Sequence, residues 1–243
     1  MKNYVTATIV AIAAIICFWV LGNAYKYKYK TTETITVTGL AEKDFVSDQI
    51  VWTGNYSRKT MDLKTAYSQL KEDEFKIRAY LKGKGVVDAE LVFSAVSIDK
   101  EFSTRYDNDG KQLGTDFTGY NLKQSVTVES KDIDKVEKIS REVTELIESG
   151  IEFNSSAPSY YYSKLSELKV DLLSKASADA KLRAATIAKN SGSGLGSIKK
   201  ATMGVFQITG QNANEDYSYG GAFNTSAKNK TASITIKIDY AVK

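Results

Sequence analysis

Residues 164–191 read KLSELKVDLLSKASADAKLRAATIAKNS, and this stretch decides the class of fold. Leu165, Leu168 and Leu172 recur at helical spacing, and Ala176, Ala180, Ala184 and Ala188 extend the line as a ridge of small side chains that Gly192 ends. At about 1.5 Å per residue the helix is roughly 40 Å long. A ridge without bulk lets a second helix or a sheet approach its backbone closely. Four residues overshoot one turn, so the ridge winds around the helix and cannot all face one flat partner. Part is expected to pack inside the subunit, and part is a candidate contact with a second copy.

Working outward, residues 62–82 place Leu63, Ala66, Tyr67, Leu70, Ile77 and Leu81 on one helical face before Gly83 and Gly85. Residues 132–149 do the same with Ile133, Val136, Ile139, Val143 and Ile147 before Gly150. Strand patterns fill residues 34–38, broken by Gly39, then 49–57, 151–163, 198–209 and 232–242. Residues 91–102 and 120–128 are β-patterned arms of a hairpin, joined through Asp107-Asn108-Asp109-Gly110, which suits the positive backbone angles of a tight turn. Helix, glycine stop and strand recur without a repeat of side chains. The pattern is α+β: antiparallel sheets packed with about three helices, preceded by an N-terminal transmembrane helix.

That N-terminal helix is expected from residues 5–24, which carry no formal charge and contain an unbroken apolar block from residue 9 to 21. Twenty residues suffice to cross a hydrocarbon layer of roughly 30 Å. Trp19, Tyr25, Tyr27 and Tyr29 cluster at one end as interfacial aromatics do, so the segment reads as a retained anchor. A cleaved signal is the competing reading, since Gly22-Asn23-Ala24 offers small residues at peptidase spacing. Lys2 and three lysines after the span oppose each other, so charge does not fix the orientation. The expected layout is an anchor and tether over residues 1–30 and one domain over 31–243.

Composition excludes several chemistries. The 243 residues contain no histidine, which removes the commonest general base, the usual zinc ligand and every Ser-His-Asp or Cys-His pair. Cys17 is the only cysteine and sits in the apolar run, so no intrachain disulfide forms. The net charge of +4 comes from lysines in the first thirty residues; beyond them acids and bases balance, which argues against a nucleic-acid partner.

Local motifs carry no chemistry. Gly192, Gly194 and Gly196 close a helix, whereas a dinucleotide loop opens one. Asp107, Asp109 and Gly110 fit three calcium-loop positions, but Arg105 and Asp116 stand where the first and last ligands belong. Ser-x-x-Lys occurs at Ser68, Ser97, Ser166 and Ser197 without the companions that make it meaningful in acylating enzymes. No catalytic, cofactor-binding or metal-binding residue is assigned, and no cofactor is expected. Tyr160, Tyr161 and Tyr162 are read chiefly as strand packing and loop anchors. Residues 210–230 form a Gly- and Asn-rich segment longer than ordinary loops, which makes Tyr217, Tyr219 and Phe223 candidate partner contacts. In the hairpin tip, Asp107, Asn108 and Asp109 are candidates of the same kind.

Residues from Thr34 to Ile208 resemble the SIMPL-domain family, a domain of unknown function with periplasmic immunogenic proteins and oxidative-stress defence factors among its bacterial members. The resemblance rests on Ile35-Thr36-Val37-Thr38-Gly39, on the helix ending at Leu81 and Gly85, and on Gly119-Tyr120 leading into Ser125-Val126-Thr127-Val128. It continues through the helix from Ile133 to Ile147, then the alanine-spaced helix with Lys181 and Ala188 running into Gly192, Leu195-Gly196 and Ile198. Ser47-Asp48 stands without the proline usual after the family's first strand. The resemblance implies two helix-on-sheet lobes, an extracytoplasmic (periplasmic) address and a tendency to self-associate; it carries no agreed active site. The expectation is a non-catalytic envelope protein of structural or scaffolding type that forms a homo-oligomer. An envelope module binding a glycan, peptide or protein is the second reading, and a carboxylate-dependent enzyme the third.

Overall fold

The computed structural model describes residues 2–30, 33–214 and 218–243, and within its first helix the side chains of residues 10–27. In chain order the elements are α1 (Lys2–Lys30), β1 (Thr34–Val46), β2 (Gln49–Thr60), α2 (Leu63–Gly83), β3 (Leu91–Phe93), β4 (Ser97–Tyr106) and β5 (Gln112–Ser130). There follow α3 (Ile133–Glu142), β6 (Phe153–Ser155), β7 (Ser159–Tyr161), α4 (Leu165–Asn190), β8 (Leu195–Met203), β9 (Gln207–Gly210) and β10 (Asn229–Val242). Two antiparallel sheets result. One has the order β1-β10-β8 with β9 also on β10; the other has β3-β5-β2-β6 with β4 on β5 and β7 on β2. Each sheet carries its own core.

In the first sheet β1 and β10 pair without a slip from Thr34↔Ala241 to Val46↔Asn229. Alternation then sends Val37, Ala41, Ile234, Ile236, Ile238 and Tyr240 to one face, where Leu168, Leu172, Ala176, Ala180 and Ala184 of α4 meet them. Gly39 does not break the strand as its residue type suggested. It sits where α4 crosses β1, and a methyl group built on it would lie 2.1 Å from the carbonyl oxygen of Ala176. The glycine is there to make room for a backbone.

The second sheet buries Ile50, Trp52, Tyr56, Leu122, Val126 and Val128 under α2 and α3. Asp62 caps α2, accepting from Thr65 N–H at 2.7 Å, and the buried positions Ala66, Leu70, Asp73, Ile77 and Leu81 follow at steps of three and four. Tyr67, expected on that face, is exposed. The helix expected over 132–149 starts at its Asp132 cap but tightens into a 3₁₀ segment, Val143–Ser149. That tighter winding brings Leu146 under the core three residues after Val143 and leaves Ile147 exposed.

Three expected strands prove to be broken edge strands. Residues 91–102 split at 94–96, 151–163 at Pro158 and its neighbours, and 198–209 at 204–206. Ser47 and Asp48 carry the chain between the sheets. Ser47 N–H bonds Lys228 O at 2.9 Å, Asp48 N–H bonds Tyr161 O at 3.0 Å, and the Asp48 carboxylate accepts from Ser163 N–H at 2.7 Å and Oγ–H at 2.5 Å. Before all of this, α1 includes an exposed apolar stretch, Val10–Tyr27, long enough to cross a membrane or serve as a signal.

Candidate functional site

The residues singled out by sequence go to three different places. Ala176, Ala180, Ala184 and Ala188 are all buried within the subunit, at no more than 1% exposure. None of the ridge faces outward, so its proposed role as a contact between copies is corrected to one of internal packing. The reason is geometric: the ridge winds as the sheet twists, and α4 follows it across β1, β10 and β8. An alanine row fits either a neighbour or its own sheet, and here it fits its own sheet.

The late segment is only partly described. Tyr217 lies outside the described residues. Tyr219 is fully exposed and Phe223 about half exposed, bridging Ile208 of β9. Gln207 holds this segment: its Oε1 accepts from Ala222 N–H at 2.7 Å and Ser218 N–H at 3.3 Å, and its Nε2 donates to Ser218 O at 2.9 Å. A notch of about 490 Å³ opens beside it, lined by Leu40, Val205, Tyr219, Ser233 and Thr235. Of the tyrosine run, Tyr160 is engaged internally. It donates to Glu137 Oε1 at 2.9 Å, and burial followed by that carboxylate pushes its phenol up to about 12.

The hairpin β4–β5 extends past the end of β2, with Asn108 and Asp109 exposed at its tip and Asp107 half-buried. Asp107 is a local organiser there. Its Oδ1 accepts from Asp109 N–H at 3.0 Å and Lys111 N–H at 2.8 Å, while Gly110 takes φ +79°. The three tip residues therefore shape the turn and carry little apolar area.

Sequence reasoning missed the flanks. β2 stops pairing with β5 at Thr60↔Tyr120, so residues 112–119 have only β4 beside them, and this two-stranded ribbon runs roughly 25 Å. At its root Gly119 takes φ +132°, and a methyl there would lie 2.7 Å from Thr60 O. On the face shared with Tyr120, the ring of Phe117 meets Phe102 at 5.7 Å and Tyr120 at 5.1 Å. Ile98, Phe102, Tyr106 and Leu113 stay 53 to 63% exposed. The opposite face is ionic. Arg105 pairs with Asp116 at 2.6 Å, Lys123 with Asp99 at 3.1 Å, and Lys59 with Glu101, whose other oxygen accepts from Asn121 at 2.8 Å. Lys59 first, then Asn121, holds the Glu101 carboxyl below its ordinary range. The signal lay in the alternation of Ile98, Lys100 and Phe102 with Asp99, Glu101 and Arg105.

Most other free edges are short or bulged, and that of β1 is capped at one point. At the edge of β1, Leu40 N–H is taken by Asp179 of α4 at 2.9 Å. β3, β6 and β7 span three residues each. Both irregularities between β8 and β10 place the extra residue in β8 itself. Between β4 and β5 the extra residues, Thr118 and Leu113, are both in β5, so the outer edge of β4 is a continuous ten-residue strand.

Among the described residues no group of three His, Cys, Asp or Glu side chains is placed to hold a metal ion. No curated protein matches the chain. The family model described as SIMPL, protein of unknown function (DUF541), matches residues 35–242, which take in both sheets and all three helices packed on them. The chain belongs to the SIMPL family.

Proposed function

We propose that this chain is a non-catalytic envelope protein, tethered through α1, whose SIMPL domain self-associates through the β4–β5 hairpin. One observation carries the reading: a continuous strand edge bearing Ile98, Phe102 and Tyr106 is left open, and from Phe102 onward it belongs to a ribbon that lacks a third strand. Two-stranded ribbons are marginal alone, and open apolar edges are templates for pairing, so a partner would supply what the ribbon lacks. Tethering by α1 would raise the local concentration of copies in one membrane. The absence of histidine favours a role without catalysis.

The test is light scattering on the detergent-solubilised chain beside the double variant F102S/Y106S, which leaves both cores untouched. A wild-type particle of several protomers that shrinks in the variant supports the reading. Equal masses in the two would refute the hairpin as the contact. The notch beside Tyr219 favours a second reading, a binding module for an envelope glycan or peptide; a saturable thermal shift abolished by Y219A would support it.

A further inference from the structure

We infer that two copies pair β4 against β4 in antiparallel register about a two-fold axis through Phe102, joining their six-stranded sheets into one. This rests on the self-association proposed above and specifies its contact.

The register follows from parity and charge. A two-fold axis perpendicular to a sheet keeps the same face upward in both copies, so directly opposed residues must come from the same face of the strand. In β4 that sets Ile98, Lys100, Phe102, Thr104 and Tyr106 against one another, and Ser97, Asp99, Glu101, Ser103 and Arg105 against one another. Four central registers remain. An axis through Lys100 opposes lysine to lysine and Asp99 to Glu101. An axis through Glu101 opposes two glutamates. An axis through Ser103 opposes Asp99 to Asp107 and Phe102 to Thr104. Within β4 the axes through Phe102 and Ser103 both oppose no like charges, and of the two only that through Phe102 sets Phe102 and Ile98 against apolar partners.

That register also matches chemistry on both faces. On the apolar face Phe102 meets its own mate and Ile98 meets Tyr106, on the side where Phe102 already meets Phe117 edge to face. On the ionic face Asp99 meets Arg105 of the second copy. Asp99 already pairs with Lys123, and Arg105 with Asp116, so the pairing completes a row of alternating sign across four strands. Such self-complementarity commits the edge to a second copy of this chain in preference to an unrelated strand, which would have no reason to carry the mirror arrangement.

The test uses the full chain in detergent with Cys17→Ser, so that each variant carries one thiol. At the axis, opposed Cα atoms lie about 4.5–5.5 Å apart, within disulfide reach. Phe102→Cys should therefore give a disulfide-linked dimer under mild oxidation. Lys100→Cys and Thr104→Cys alone should not, because each is displaced by four residues, about 13 Å, from its own mate. Mixed together, Lys100→Cys and Thr104→Cys chains should cross-link at least about tenfold more than either alone, and this pair leaves Phe102 in place. An oligomer by mass that cross-links at neither Phe102 nor the mixed pair overturns the register while sparing self-association. A monomer by mass overturns both.

Discussion

Gly39 of β1 and Ala176 of α4 approach so closely that a methyl group on the glycine would lie 2.1 Å from the alanine's carbonyl oxygen and 2.6 Å from the backbone nitrogen of Ala180. The obstacle is backbone on both sides, so it cannot turn aside as a side chain would. Gly39→Ala should cost about 3 kcal/mol or more, the upper end of overpacking effects, by forcing α4 off the sheet. Urea unfolding measures it; a loss below about 1 kcal/mol would contradict the close packing.

A second site of high cost is the ion pair of Arg58 and Asp73. Asp73 is 2% exposed, and Arg58 reaches its two oxygens at 2.5 and 2.8 Å while also donating to Gly150 O at 2.8 Å. One guanidinium thus ties β2 to α2 and to the turn that ends the 3₁₀ segment. Arg58→Ala leaves a buried carboxylate without its partner and should destabilise the domain by about 3–5 kcal/mol. Asp73→Asn with Arg58 intact should cost less, because Arg58 is partly solvated. Equal losses in the two variants would show that the buried charge is not the reason.

Between the sheets, Asp48 makes stability depend on acid. Burial alone would raise its carboxyl, but the two bonds from Ser163 and the charge of Lys131 outweigh burial and hold it below its ordinary value of 3.8. A folded-state value below the unfolded one stabilises fully above about pH 4, and the stabilisation is lost as pH falls through the folded value. Asp48→Asn should therefore lower stability at pH 7 and flatten its decline between about pH 4 and 2 relative to wild type. Parallel curves for the two proteins would contradict this.

How much of this was legible in sequence depended on the range of the interaction. The leucines of α4, the starts of the helices at residues 62 and 132, and the turn at Asp107–Gly110 are local signals, and each sits where its residues suggest. Gly39 carries the same letter whether it breaks a strand or admits a helix, and only the crossing of α4 distinguishes the two. The inward turn of Ala184 and Ala188 depends on sheet twist, which composition does not encode. The Arg58–Asp73 pair exists only once α2 packs on β2, and the open ribbon edge of β4 only once β2 and β5 are in register, so neither is displayed by a local pattern. The bulges that leave β4 straight lie on its partner strand.

The N-terminal helix makes its own prediction. With Val10–Tyr27 retained as an anchor and the domain outside the cytoplasm, protein purified from cells should keep its first residues, and protease added to intact spheroplasts should digest the domain. Protein that begins at Tyr25 would contradict retention, and a protected domain would contradict the orientation.

Whether copies of the chain associate is read by native mass spectrometry of the full chain released from detergent. Each protomer weighs 26.8 kDa, so the account predicts peaks at twice that mass or higher even multiples, as a two-fold contact requires. A single species at 26.8 kDa throughout the micromolar range would contradict it.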